Sequence, residues 1–149
     1  EEQALAWSGT TPFTDIQPHS QAGKYVGYAY EKGYTNGYTA NSFRPASTVN
    51  AYQYTEFVLR AMGYSSAANT DLSSTLTRAV AAGVLTSQEG AALQGEVFLR
   101  AQLVYISYYA LDAQLPEDDR TLADDLIDLG VFTVQDWRQA RKLVTTSRL

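Results

Sequence analysis

The sequence predicts an all-α protein made of three pseudo-repeats, each consisting of a helix, a loop and a second helix, with loop strands that are short at most. Two observations support this class. Apolar residues recur at helical spacing in several segments. Three glycines placed to end a helix, Gly33, Gly83 and Gly130, follow one another at spacings of 50 and 47 residues. A period near 50 in 149 residues gives about three units, whose helix pairs bury their apolar faces against one another.

The apolar positions around these glycines also correspond. With the glycines aligned, the first helices share one face, given by Val26, Ala29, Tyr30 and Tyr34, by Leu76, Ala79, Val80 and Val84, and by Ala123, Leu126, Ile127 and Val131. The second helices match at a spacing of 49 residues, with Tyr54, Phe57, Ala61 and Met62 opposite Leu103, Ile106, Ala110 and Leu111. We therefore expect repeats at residues 13–66, 67–115 and 116–149, forming a single domain with the last repeat shortened.

The composition suits one compact domain, because 45% hydrophobic residues in a chain of this length are enough to bury a core. No apolar run is long enough to cross a bilayer and no signal sequence opens the chain, so we expect a soluble protein without membrane insertion, either a mature form or an excised part of a larger one. The chain has no cysteine, which removes disulfides and thiol chemistry. A net charge of −5 argues against a nucleic-acid partner.

Tyrosine is unusually frequent, with eleven tyrosines against five phenylalanines. A tyrosine ring has a flat apolar face and a polar tip, which suits sugar-binding grooves and interfaces. The same property suits residues at the rim of a core, and this is the interpretation we favour for most of these tyrosines.

The first repeat follows a lead-in at residues 1–12, whose Trp7 is expected to dock onto the domain. Tyr25, Val26 and Ala29 indicate its first helix, and the dipeptide Asn36-Gly37 predicts a tight turn in the loop. The second helix carries an apolar stripe of Tyr54, Phe57, Val58, Ala61 and Met62. It is preceded by Asn50 with Gln53 three residues on, a capping-box pair.

The second repeat is predicted to begin with a helix over residues 72–82, for which Asp71 is the expected N-cap. In its loop, Thr86 and Glu89 have the spacing of a capping box and predict a short helical turn. A second helix is expected from Phe98 or Leu99 to Asp112.

The third repeat is predicted to start its first helix at Pro116, with the acidic residues 117–119 in the first turn, where the helix dipole favours negative charge. Gly130 ends this helix. Thr133 is the expected cap of a last helix carrying Trp137, Ala140, Leu143 and Val144. That helix begins too early for a full-length loop, which is why this unit is expected to be shortened.

Several motifs of the first repeat together resemble the S-layer homology family. They are Phe13-Thr14-Asp15, the first helix, Gly33 with Gly37-Tyr38, Phe43-Arg44-Pro45 and the capped helix from Ala51. The resemblance is good over residues 13–63, partial to Leu111 and poor after Pro116. It implies three repeats around a central helical bundle and a non-catalytic module that attaches bacterial surface proteins to cell-wall polysaccharide.

The resemblance also implies where a ligand binds. The second helix of the family opens with Ile-Thr-Arg-Ala-Glu, and an arginine beside free backbone N–H groups suits acidic or pyruvylated sugars. Arg100, Ala101 and Gln102 follow this pattern in the second repeat, whereas the first repeat has Ala51 in place of the arginine and the third has no counterpart. Arg100 and Gln102 are therefore predicted ligand-binding residues. The alternative for Arg100 is a structural pairing with a carboxylate near a helix end.

The loop of the first repeat supplies the other predicted ligand-binding residues, Arg44, Tyr38 and Phe43. For Phe43 and for Pro45, packing onto the core as loop anchors is the competing interpretation. Asp15 resembles the aspartate of the family's Phe-x-Asp motif and is expected to cap or brace the first helix.

The sequence does not favour an enzyme. His19 is the only histidine and lies in a polar turn, and the carboxylates at residues 118–119 and 124–125 are typical of a solvated helix face. We find no phosphate loop, nucleophile elbow or metal-ligand spacing, and we expect no cofactor and no metal.

These patterns predict an extracellular module at the bacterial cell wall or surface, part of a larger surface protein, whose partner is cell-wall polysaccharide. The competing hypothesis is a degenerate scaffold that binds proteins and has lost glycan recognition.

Overall fold

The computed structural model describes residues 2–65, 71–95, 97–145 and 148. Within these residues the chain forms eight α-helices and no strand, with two isolated bridges, Thr39 to Ser42 and Gln114 to Thr121. The all-α prediction is confirmed. The helices are α1 (Glu2–Leu5), α2 (Gln21–Glu31), α3 (Ala51–Ala61), α4 (Thr75–Ala81), α5 (Ser87–Ala92), α6 (Arg100–Ala110), α7 (Leu122–Asp128) and α8 (Val134–Leu143).

The core lies where four of these helices meet. Helix α3 packs against α4 and α6, and α4 packs against α5. Leu59, Leu76 and Ile106 are the largest apolar side chains that are almost completely buried. Each comes from a different helix, so burial of apolar surface holds the first half of the chain against the second.

The predicted glycine stops are confirmed. Gly33, Gly83 and Gly130 have φ angles of +74°, +73° and +71°, a region that glycine enters without steric cost. After each glycine the next backbone N–H donates to a carbonyl five residues back, as in the bond from Val84 to Ala79 of 3.0 Å. Gly63 ends α3 in the same way. This ending is therefore shared by first and second helices and does not by itself define a repeat.

Three predicted helix caps are present. The Asn50 and Gln53 side chains each bond the backbone N–H of the other residue at the start of α3, and Thr86 and Glu89 do the same for α5. Thr133 caps α8 together with Asp136. In each case the side chains satisfy N–H groups that have no partner within the helix.

Two predicted helix starts are wrong. Asp71 does not cap α4, because its carboxylate accepts the backbone N–H and the hydroxyl of Ser73 in a local turn, and the helix begins only at Thr75. Helix α7 begins at Leu122 and not at Pro116. Thr121 and Asp124 form a capping box there, while residues 116–120 form turns and bends. A good cap further along the chain outweighed the proline signal.

The buried face of α3 differs from the predicted stripe. Val58 and Met62 are buried as expected, but Phe57 is exposed, and Thr55 and Glu56 lie in the interior. Helix α8 has no buried residue. Its Trp137 ring lies 5.6 Å from the ring of Tyr108 on α6.

The lead-in segment docks onto the domain through Trp7, as expected. Trp7 is buried and its indole N–H donates to Glu31 at 2.8 Å. The ring lies directly on Gly27 of α2, where an added Cβ would come within 2.1 Å of it. Glycine at this position thus allows α2 and the lead-in to pack closely.

The division into three repeats stays a prediction. Its first boundary, between residues 66 and 67, lies outside the described residues, and its second falls in the connection between α6 and α7. The first helices of the predicted first and second repeats, α2 and α4, match only in part in their buried residues. Helix α4 buries Leu76 and Ala79, whereas α2 buries Gly23 and Gly27. In the part of the chain that the structure describes, no helix has the length and apolar character needed to span a membrane.

Candidate functional site

The loop between α2 and α3 is held in shape by one carboxylate. Asp15 accepts the backbone N–H of Phe43 at 2.9 Å and that of Arg44 at 2.8 Å, together with the hydroxyl of Ser42 at 2.8 Å. Asp15 is 27 to 29 residues away from these three consecutive partners, so its carboxylate ties the loop to the segment that precedes α2.

Hydrogen bonding to the charged form also explains the acidity of Asp15. The backbone N–H groups of Phe43 and Arg44 lower its pKa to about 2, against an ordinary value of 3.8. The expectation that Asp15 caps or braces the first helix is wrong. Ser20 caps α2, accepting the N–H of Gly23 at 3.0 Å, and Asp15 instead braces the loop.

Arg44 and Tyr38 form the exposed face of this loop. The guanidinium carbon of Arg44 lies 3.7 Å from the centre of the Tyr38 ring, a cation–π contact. Arg44 adopts a φ of +61°, which is unusual for a residue with a side chain, and the Asp15 bonds hold it there. Tyr38 stays 49% exposed. Two predicted ligand-binding residues are thus brought together as one flat, positively charged surface.

Phe43 lies behind this surface. Its ring is half-buried and 5.6 Å from that of Phe13, which in turn makes an edge contact with Tyr30 at 5.2 Å. Phe13 is almost completely buried. Phe43 therefore packs as a loop anchor, and its predicted contact with ligand stays a prediction.

Gly37 has a different role from the one predicted. The chain reverses at residues 40–41, where Tyr38 and Thr39 both donate to the carbonyl of Ser42, and not at Asn36-Gly37. Gly37 has a φ of +75°, and a Cβ there would lie 2.2 Å from the Phe13 ring. The glycine is needed because the backbone passes against an aromatic ring.

The start of α6 carries the second predicted group. Arg100 is the first residue of this 11-residue helix and is exposed. Among the described residues, no carboxylate forms an ion pair with it, so the structural alternative for Arg100 gains no support from them. The Gln102 side chain folds back to accept the Leu99 backbone N–H at 2.7 Å. This bond positions the first turn beside Arg100.

The corresponding helix start in the first half is different. Ala51 occupies the position of Arg100 and is buried in the core, while Gln53 folds back on Asn50 as Gln102 does on Leu99. The α3 start therefore resembles that of α6 in backbone geometry but presents no cation. Within the described residues, no hydrogen bond, ion pair or ring contact links Arg100 to the Arg44–Tyr38 surface.

Sequence reasoning missed a buried charged cluster between α3 and α4. Glu56 is only 2% exposed, and its carboxylate accepts from Arg60 at 3.1 Å, from Arg78 at 2.7 Å and from the Thr75 hydroxyl at 3.0 Å. Arg78 also donates to the Ser65 carbonyl. The four-residue spacing of Glu56 and Arg60 was the available signal, but such pairs usually mark an exposed helix face.

The described residues contain no group of three or more histidine, cysteine or carboxylate side chains placed to hold a metal ion. His19 is exposed. The geometry instead offers one arginine side chain on an aromatic face and another at a helix start, and both arrangements suit anionic or hydroxylated ligands.

Comparison with known protein families finds a match in the first third of the chain. The family model of the S-layer homology domain matches residues 12–50, which include α2, the Asp15-braced loop and the N-cap of α3. No curated protein and no solved structure matches the chain.

Proposed function

We propose that this chain, whose residues 12–50 match the S-layer homology domain, belongs to that family and is a non-catalytic attachment module that binds cell-wall polysaccharide. Domains of this family are generally cell-wall anchoring modules of surface proteins. The proposed location is accordingly the bacterial cell wall or surface, with the chain tethering other domains of a larger protein.

The observation that carries this proposal is the Arg44–Tyr38 surface inside the matched segment. The family match and the exposed contact between Arg44 and Tyr38 fall on the same loop. A sugar ring stacks on a flat aromatic face, and a guanidinium donates to carboxylate or hydroxyl oxygens. Asp15 holds the backbone of Arg44 and the Ser42 carbonyl holds that of Tyr38 before any ligand arrives, which lowers the entropic cost of binding.

Arg100 is proposed as a second contact, for an acidic group of the polymer. It lies beside the first N–H groups of α6, where the helix dipole favours an anion. Gln102 orders this turn, and Phe43 supports the other surface from behind. The proposed ligand is therefore a polysaccharide with negatively charged substituents, such as pyruvylated sugars. Binding at two separate surfaces would give one chain more than one contact with a long polymer.

The three-repeat arrangement is part of the proposal. Its support is the equal ending of α2, α4 and α7 at left-handed glycines and the equal length of α3 and α6, each 11 residues. In this view the third unit has lost its loop, since only three residues separate Gly130 from α8.

Co-sedimentation with cell-wall sacculi tests the proposal. We expect the protein to pellet with untreated sacculi and to stay in the supernatant after hydrofluoric acid has removed the wall polymers. Pelleting that persists after polymer removal, or that is absent from the start, contradicts the proposal.

Single arginine variants then locate the contact. Arg100→Ala and Arg44→Ala are each expected to weaken pelleting by about tenfold, because each removes charge-assisted hydrogen bonds to the polymer. Arg138→Ala is the matched control, since Arg138 is an exposed arginine on α8, a helix that belongs to neither surface. An equal loss in all three variants would indicate general charge attraction and not a site.

A second candidate function is a protein-binding scaffold, favoured by the apolar residues around Arg100. Val97 is 78% exposed and Leu99 is 56% exposed, and Val104 is also exposed on α6. Such a cluster is typical of a protein contact. Co-sedimentation with sacculi that persists after polymer removal, and that is lost in the Leu99→Ser and Val104→Ser variants, would support the scaffold over the anchor.

A further inference from the structure

A second buried carboxylate, Glu89, lies outside both proposed polysaccharide surfaces. It belongs to α5 and is only 3% exposed. Its bidentate partner is Arg148, which follows α8 and is 59 residues away in the sequence. Arg148 therefore lies beside α5, far from its position in the sequence.

One edge of the Arg148 guanidinium, formed by Nε and Nη2, donates hydrogen bonds to Glu89 and Val84. Nε donates to Glu89 at 3.0 Å and Nη2 donates to the other Glu89 oxygen at 3.0 Å, which is the parallel fork typical of arginine and carboxylate. Nη2 also donates to the Val84 carbonyl at 2.6 Å. The ring of Tyr109 covers one face of the guanidinium, with its centre 4.4 Å from the central carbon.

Neutral groups hold the walls of this site in place. The Tyr105 hydroxyl donates to Glu89, and the Thr86 backbone N–H donates to it at 2.7 Å. The rings of Tyr105 and Tyr109 are 4.5 Å apart on α6. The Glu89 carboxylate on α5 and the Tyr109 ring on α6 thus have contacts that do not involve Arg148.

The electrostatics require a cation there. Burial alone would raise the pKa of Glu89, but the hydrogen bonds from Arg148, Tyr105 and Thr86 outweigh it and lower the pKa below its ordinary value of 4.5. Without Arg148 the carboxylate would keep only neutral donors, and an uncompensated buried charge is strongly destabilising.

We propose that Glu89, the Val84 carbonyl, Tyr105 and Tyr109 form a guanidinium-binding socket, which this chain fills with its own Arg148. The ligand class is an arginine side chain or another alkylguanidinium. A lysine ammonium fits less well, because it is a point charge that cannot form the planar fork or stack on Tyr109. The socket fastens Arg148 to α5 and α6.

Chemical rescue of Arg148→Ala tests this proposal. We expect the variant to unfold about 10 °C below the wild type, since it leaves a buried carboxylate without its cation. Added ethylguanidinium is expected to raise the unfolding temperature in a saturable manner, whereas ethylammonium at equal concentration has little effect. The double variant Arg148→Ala, Glu89→Gln is not expected to respond.

Two controls separate binding from solvent effects. The wild type and Arg138→Ala report how ethylguanidinium acts on a chain whose socket is filled. If the Arg148→Ala variant does not fold, Arg148→Lys keeps a charge in the socket, and ethylguanidinium should displace the lysine and shift the NMR signals of the Tyr105 and Tyr109 rings. Absence of a saturable response, or an equal response to ethylammonium, would overturn the proposal in either variant.

Discussion

The two connections that lead into the long helices α3 and α6 are each held in shape by a carboxylate, which is exposed in the first case and buried in the second. The first runs over residues 32–50 and the second over residues 82–99. Each follows a helix ended by a left-handed glycine, Gly33 or Gly83, and each leads into a helix of 11 residues. Each is also organised by one carboxylate, Asp15 in the first and Glu89 in the second.

The two carboxylates differ in solvation. Asp15 is exposed and accepts only neutral donors, two of them from the backbone. Glu89 is buried and takes an arginine as well. Water can compensate part of an exposed charge, while a buried charge needs an opposite one. The exposed carboxylate therefore shapes a surface loop, whereas the buried one holds together residues that are distant in the sequence.

The largest expected effect is at the second connection. Arg148→Ala should cost about 4 kcal/mol of unfolding free energy, because Glu89 stays buried and unpaired. Glu89→Gln should cost less, roughly 2 kcal/mol, because it removes the buried charge itself and leaves Arg148, which can reach water. Chemical denaturation of both variants measures the difference. A larger loss for Glu89→Gln would mean that the carboxylate serves mainly as a cap and not as part of a charge pair.

An intermediate effect is expected at the glycines. Gly37→Ala should cost about 3 kcal/mol, because it adds a collision with the Phe13 ring to the strain of a positive φ. Gly33→Ala and Gly83→Ala meet no atom within 4 Å and should each cost about 1 kcal/mol. Thermal unfolding of the three variants checks this order. Unequal losses for Gly33→Ala and Gly83→Ala would show that the two helix ends are not equivalent.

The smallest effect is expected from Asp15→Asn, and it should depend on pH. The folded pKa of about 2 lies below the ordinary value of 3.8, so the charged Asp15 contributes its full stability above about pH 4. That contribution is lost as the pH falls towards 2. The unfolding temperatures of the variant and the wild type should therefore differ at pH 7 and converge near pH 2. A constant difference over this range would show that the Asp15 charge is not responsible.

Local signals in the sequence predicted much of the fold. The capping pairs at Asn50 and Thr86 and the three glycine stops were placed correctly, because each depends on residues within one or two helical turns. Helix α7 was misplaced since two local signals competed, Pro116 and Thr121, and only the capping box at Thr121 was strong enough to begin a helix.

Contacts between segments that are distant in the sequence could not be predicted. The spacing of residues gave no sign that Asp15 reaches Phe43 and Arg44, or that Arg148 reaches Glu89, since 28 to 59 residues separate these partners. Tyr38 and Arg44 were each predicted as ligand-binding residues, but their stacking depends on the loop shape that Asp15 imposes. Candidate residues could thus be picked out one by one from the sequence, but the contacts that bring them together could not be predicted.

Backbone NMR during titration with soluble fragments of wall polysaccharide tests the proposed function most directly. We predict saturable shifts of the amide signals of Tyr38 and Arg44 and of Arg100 and Gln102, with the signals of α8 unchanged. No saturable shift, or shifts confined to α8, would contradict polysaccharide binding at these two surfaces.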